Sequence, residues 1–129
     1  MASTGNKIVV PEAREALNKF KMEAASEEFK TFLNNIEVND AKIPVVTNVD
    51  ANFTTSGKEL KEKMPKQICS SVYWTQSVEN MIKEGVDTFL EIGPGKVLSG
   101  LIKKINSEVN IYNVSDSESL QTCVEALKA

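Results

Sequence analysis

Histidine is absent: none of the 129 residues is one. Its absence removes the commonest general base, the commonest metal ligand and the partner in serine–histidine or cysteine–histidine pairs. Hydrolysis or acyl transfer run by this chain alone would need a carboxylate or lysine base. Cysteine is scarce: Cys69 and Cys123 lie far apart, without the CxxC spacing of a zinc site or a disulfide scaffold. Both are read as reduced, core or half-buried thiols of a cytoplasmic protein. No apolar run approaches the roughly 18 residues of a membrane span. The opening residues Met1-Ala2-Ser3-Thr4-Gly5 lack the apolar region of a secretion signal, and residues 1–6 are read as an initiator and flexible linker. Basic charge is in deficit: the net charge of -3 is a poor match for nucleic acid. Neither a GxxxxGK[ST] loop nor a GxGxxG fingerprint occurs, and no cofactor or metal is expected.

The residues present describe an ordinary globular chain. Hydrophobic residues make up 41% and charged residues 26%, a balance that supports a core. Residues 7–129 are read as a single α/β domain. Lys7-Ile8-Val9-Val10 reads as a strand. Pro11, Glu12 and Glu15 suit a helix N-terminus. Ala13, Leu17, Phe20, Ala24, Ala25, Phe29, Phe32, Leu33 and Ile36 then make an apolar stripe on a long helix over about 12–35. Residues 43–48 read as a second strand, apolar at its centre like one covered on both faces, and 48–55 as a loop. Ser56 and Glu59 predict a capping box before a helix carrying Leu60, Met64 and Ile68. Pro65 is expected to kink or interrupt it. Thr75 is read as the next cap, with Val78, Met81 and Ile82 inward and Gly85 as a left-handed stop. A strand over 86–92, a Gly93-Pro94-Gly95 turn, a helix bearing Val97, Leu98, Leu101, Ile102 and Ile105, and a strand over 109–114 follow. Ser115 and Glu118 predict a capping box for a last helix with Leu120, Val124 and Leu127 inward. This alternation predicts a three-layer α/β/α fold with a small, mostly parallel sheet. An exposed sheet edge is a route to self-association.

Candidate chemistry is sparse. Gly93-Pro94-Gly95-Lys96 lies between strand and helix, where free N–H groups often hold phosphate; a tight packing turn explains it equally simply. Asn48 and Asp50 follow a strand end, where open parallel sheets place ligands, although both residue types also form loops. Cys69-Ser70-Ser71 offers nucleophiles but no base and is read as polar capping before Trp74. Glu91, in an apolar strand, is a candidate for a partly buried carboxylate with a raised pKa, or for one facing solvent or a lysine. Arg14, Lys19, Glu23 and Glu27 read as a solvated face.

Three strings carry a resemblance. Ile43-Pro44-Val45-Val46-Thr47-Asn48-Val49-Asp50-Ala51 resembles the IPVVSNVDA run of bacterial malonyl-CoA:acyl-carrier-protein transacylases. Val72-Tyr73-Trp74-Thr75-Gln76-Ser77-Val78 resembles their PVRWxxSV run, and residues 85–101 follow the family pattern throughout. The likeness runs in order from about Ser26 to Ala129. It implies the C-terminal part of an α/β-hydrolase-like core, with a GHSxGE serine, a malonyl-binding arginine and an oxyanion glutamine all upstream. Gln67 matches the glutamine whose backbone carbonyl orients the family's catalytic histidine. Pro65 and Ser71 depart from the usual aliphatic residue and proline beside it.

The family's PFHS-like segment should precede an ASEEF-like helix, but Glu12 to Lys21 stands in its place. Asn18 falls where the histidine is expected. The replacement is read as a helix start put in for a catalytic loop, by design or by selection for solubility. The resemblance implies a transacylase segment that folds without catalysing. The alternative is a binding module for acyl carrier protein, or for a complementing N-terminal half, with Lys96, Lys103 and Lys104 as the basic candidates. Malonyl-CoA and acyl carrier protein are the partners it implies.

Overall fold

Residues 11–129 are described in a computed structural model, and they divide at Tyr73/Trp74 into two compact units. The expected strand at 7–10 lies outside the described residues.

In the first unit, α1 runs from Pro11 to Leu33. Its expected apolar stripe is not buried: Leu17, Phe20 and Phe32 are exposed, and Leu33 is the buried residue of the helix. The reason is that α1 meets its neighbour with a narrow face. That neighbour, α2 (Gly57–Cys69), runs antiparallel to it. The Ser26 hydroxyl donates to the Pro65 carbonyl at 2.8 Å, and Lys61 Nζ donates to the Ile36 carbonyl at 2.7 Å. Pro65 does not interrupt α2, which is continuous through it. The proline removes one helix hydrogen bond, but it is buried and its carbonyl gains the Ser26 bond.

The strand expected at 43–48 is shorter and differently paired. β1 (Val45–Val46) runs antiparallel to β2 (Phe53–Thr54), in the stretch read as a loop. The loop between them closes on itself: Asp50 Oδ1 accepts from Thr47 Oγ1 at 2.8 Å and from the Asn52 N–H at 3.2 Å. Ala51 takes a left-handed φ of 57°. The chain therefore reverses instead of crossing to a parallel neighbour. Ser56 caps α2 by accepting from the Glu59 N–H at 3.4 Å. The reciprocal half expected of a capping box gives way to another bond, because the Glu59 carboxylate pairs with Lys63 at 2.8 Å. Gly57 sits where a side chain cannot: a Cβ there would press on the carbonyls of Val38 and Asn39. Its N–H meanwhile donates to Asp40 Oδ1 at 2.8 Å.

In the second unit, α3 (Trp74–Lys83) begins one residue before the expected cap, so Thr75 lies inside it. Gly85, at φ 96°, ends it in a Schellman motif: the Gly85 N–H bonds the Ile82 carbonyl at 2.9 Å and the Val86 N–H bonds that of Met81 at 3.0 Å. β3 (Thr88–Ile92) and β4 (Asn110–Val114) pair in parallel, joined through α4 (Val97–Ile105). Val78, Ile102 and Val109 form the core, with Trp74, Met81, Phe89 and Ile111 packed around them. Full burial of Val78 alone contributes about 1.5–3 kcal/mol.

α5 (Ser117–Lys128) is capped by Asp116, not Ser115, because the Asp116 carboxylate reaches the Ser119 N–H at 2.8 Å while Ser119 Oγ accepts from the Asp116 N–H. Leu120, Val124 and Leu127, expected inward, are exposed; Cys123 is the buried residue of this helix. The α/β class expected from the alternation of elements stands, with the parallel β3–β4 pair in the second unit.

Replacing Gly57 by alanine is expected to lower stability by about 1–3 kcal/mol through overpacking against the backbone of residues 38–39. Urea unfolding of the G57A variant checks this, and an unchanged midpoint would show that the backbone yields freely.

Candidate functional site

The polar centre of the first unit is Lys63. It is 8% exposed, and its ammonium reaches Asp50 Oδ2 at 2.8 Å, Glu59 Oε1 at 2.8 Å and Thr54 Oγ1 at 2.6 Å. A lysine buried without partners would lose its charge, whereas two carboxylates and a hydroxyl satisfy all three of its donors. The hydrogen bond from Lys63 holds the Asp50 carboxyl at about 2, from its ordinary 3.8, with Thr47 and the Asn52 N–H assisting. The same bonds, Asp50 first and Glu59 second, push the lysine upward. Asp50 is thus an organising residue of the 47–52 loop, a firmer role than loop propensity suggested. Lys63 was not singled out in the sequence. The i,i+4 spacing from Glu59 was the available signal.

This cluster brackets Asn48. The Asn48 N–H donates to Gln67 Oε1 at 3.4 Å, and its carbonyl accepts from the Tyr73 N–H at 3.2 Å. Gln67 stands one helical turn beyond Lys63 in the last turn of α2, where carbonyls have no intrahelical donor. A backbone acceptor at that place can orient a donor brought to it. Antiparallel packing brings α1 alongside the same end of α2. Asn18 and Cys69 line one open hollow of about 330 Å³, with Glu15, Lys19, Met22 and Glu23. Asn18 therefore stands near the C-terminal end of α2, the helix that carries Gln67. Cys69 is exposed, not core or half-buried, while Cys123 is buried. Ser70 ends α2, its N–H donating to the Lys66 carbonyl at 3.0 Å.

In the second unit, Glu91 resolves the glycine-rich turn. Gly93 and Gly95 take φ of 137° and 87°, which only glycine adopts readily. The turn folds α4 back over the strand that leads into it. The Glu91 carboxylate then accepts from the N–H groups of Leu98 at 3.2 Å and Ser99 at 2.8 Å, from the Ser99 hydroxyl, and from Asn113 Nδ2 at 3.1 Å. The pKa expectation for Glu91 is reversed. It is lowered, most by the Ser99 hydroxyl, because every neighbour donates to the charged form. Its partner is the helix N-terminus and not solvent or a lysine. Of the two readings of Gly93-Pro94-Gly95-Lys96, the packing turn is the one realised: the protein's own carboxylate fills the anion position. Asn113 could have been found as a polar residue in register with Glu91 on the paired strand.

The three candidate lysines do not act as one patch. Lys103 Nζ is committed to the carbonyls of Val109 at 2.7 Å and Ser107 at 3.0 Å. Lys96 borders a separate hollow with Asp116 and Glu118. Among the described residues no group of three or more acidic or cysteine side chains could hold a metal ion, and no helix is long and apolar enough to cross a membrane.

The class is thus α/β, with a parallel β3–β4 pair in the second unit and an antiparallel β1–β2 pair in the first. Comparison with known proteins gives the family. The chain is 43% identical over 107 residues to the malonyl CoA-acyl carrier protein transacylase of Bacillus subtilis, covering 83% of this chain and 34% of that protein. The Staphylococcus aureus transacylase is 43% identical over 120 residues, covering 92% of the chain and 39% of the relative. A malonyl-transacylase solved in complex with its type II PKS acyl-carrier protein superposes with a TM-score of 0.77 at 36% identity, over 81% of this chain and 34% of that one. The chain belongs to the malonyl-CoA:acyl-carrier-protein transacylase family and spans just over a third of the length of these curated relatives. A second likeness overlaps the first element: the model of small, acid-soluble spore proteins, alpha/beta type, matches residues 6–41. Those residues include Glu12 to Lys21.

Two outcomes test these clusters. A carboxyl depressed in the folded state adds stability above its unfolded pKa of 3.8, and that stability is lost as pH falls through about 2. The wild type is therefore expected to lose more stability than D50N between about pH 4 and 2, by on the order of 1 kcal/mol after screening at this partly exposed site. Urea midpoints across that range measure the difference, and parallel pH curves would remove Asp50 from the account. At the other cluster, inorganic phosphate is expected to raise the Tm of E91Q but not of the wild type, because only the variant vacates the charge at the α4 N-terminus. Equal phosphate response in both would show that Glu91 does not occupy the anion position.

Proposed function

We propose that this chain is a C-terminal transacylase segment that does not catalyse malonyl transfer by itself. The reaction of the whole enzyme, malonyl transfer from coenzyme A to an acyl carrier protein in fatty acid or polyketide synthesis, needs a serine nucleophile and a histidine base. The carrying observation is the lack of any histidine in the chain, although Gln67 matches the family's histidine-orienting position; Asn18 lines a hollow with Cys69 of the helix that carries Gln67. Catalytic groups that act as a unit leave little behind when they are removed. The first helix lies within both likenesses, since the spore-protein model matches residues 6–41 and the Staphylococcus aureus transacylase aligns over 92% of the chain. The replacement of a catalytic loop by a helix start, by design or by selection for solubility, stays part of this proposal. A cytoplasmic location follows from the reading.

A binding role toward acyl carrier protein is the second reading. One structural neighbour was solved with its carrier protein, which supports it, while the commitment of Lys103 to backbone carbonyls weakens the basic patch it would need.

Intact mass after incubation with malonyl-CoA and acyl carrier protein tests the first reading. Neither the chain nor the carrier is expected to gain a malonyl group beyond a chain-free control. Malonyl transfer that depends on the chain would sink the proposal and point to Cys69, Ser70 or Ser71.

A further inference from the structure

We propose that the hollow between α1 and α2 binds a linear organic dianion, an apolar chain with an anionic group at each end. Nothing in this site depends on the transacylase reading.

The hollow encloses about 430 Å³, within the size range of small-molecule sites. Its charge runs against that of the chain. The whole sequence carries -3, yet Lys30, Lys58, Lys61 and Lys66 line this hollow against only two carboxylates, Glu27 and Glu62. Leu33 and Pro65, both buried, close its floor. Lysine stems present methylene groups along such a floor while their ammonium groups stay with water or an anion.

The four lysines are not equivalent. Lys61 is already used: its ammonium donates to the carbonyls of Ile36 at 2.7 Å and Asn34 at 3.5 Å, closing the C-terminal end of α1. Lys30 stands 4.0 Å from Glu27, so its charge is offset. Lys58 and Lys66 remain. Among the described residues neither of their ammonium groups has an acceptor. Two turns of α2 separate them, which sets their backbones about 12 Å apart along the helix axis.

Antiparallel packing places Lys66 at the Ser26–Pro65 end and Lys58 toward Asn34. The two free cations thus mark the ends of the hollow, and the Lys30–Glu27 pair and Glu62 lie between them. The complement is a ligand charged at both ends and apolar in the middle. A monoanion leaves one ammonium unanswered, and a short dianion spans too little of the distance.

Decanedioate is the probe, titrated against the full chain and followed by the shifts of its amide resonances. Saturable shifts are expected at Lys30, Leu33, Lys58 and Lys66. Decanoate and hexanedioate are each expected to bind at least threefold more weakly, the loss of one exposed ion pair. The K58Q/K66Q double variant is expected to lose at least tenfold, while K128Q, at the end of α5, binds like the wild type. Both lysines of the double variant are exposed, and its spectrum without probe reports that the fold is kept. Non-saturable shifts, shifts centred outside α1 and α2, or decanoate or hexanedioate binding as tightly as decanedioate would each overturn the proposal. So would a folded double variant with wild-type affinity. The readout is binding, so malonyl transfer by the isolated chain would refute the proposed function and leave this result standing.

Discussion

Lys63 brings a full positive charge into the interior of the first unit, and the local architecture follows from the need to neutralise it. Asp50 must come in from the 47–52 loop and Glu59 from the first turn of α2, each reaching the ammonium at 2.8 Å. Drawing Asp50 inward tightens the loop, places Ala51 in a left-handed conformation and returns the chain as β2. The same loop presents Asn48 to Gln67. A buried ion pair is weak evidence for net stability but costly to break, because either partner left alone is an uncompensated charge. Its role here is geometric: it fixes the loop against the helix that carries Gln67.

The second unit solves a similar problem with the opposite sign. A strand must end, turn sharply and begin a helix whose first N–H groups lack partners. Gly93 and Gly95 make the turn, and Glu91 supplies the acceptor. Ser99 and Asn113 complete a small network that ties β3, α4 and β4 together. A site of the kind that elsewhere holds phosphate is filled by the protein's own carboxylate, so a glycine-rich turn alone does not identify a ligand.

Local signals were legible where one residue type has one physical use. Gly85 ended α3 as its left-handed conformation requires, whereas of the α4 apolar stripe Ile102 is buried and Val97, Leu98 and Leu101 are exposed. Apolar stripes on α1 and α5 misled. Periodicity states that a face is apolar but not what covers it, and Leu17, Phe20, Leu120 and Leu127 remain exposed among the described residues. Asp50 and Glu91 were visible as candidates, yet their partners Lys63, Ser99 and Asn113 were not. Lys63 stands 13 residues from Asp50 in the chain and Asn113 stands 22 from Glu91, and no local pattern reports contacts of that separation.

The sequence by itself determined the family, through strings long enough to be specific, and the missing histidine, which composition alone establishes. It also set the α/β alternation, since helix and strand periods are local properties of the backbone. Only the tertiary structure decided that residues 45–54 form an antiparallel hairpin, that Glu91 is depressed and not raised, and that Asn113 and Ser99 meet at its carboxylate. Each of these depends on which groups from distant parts of the chain come within hydrogen-bonding reach, and burial, charge state and pairing are set at that distance.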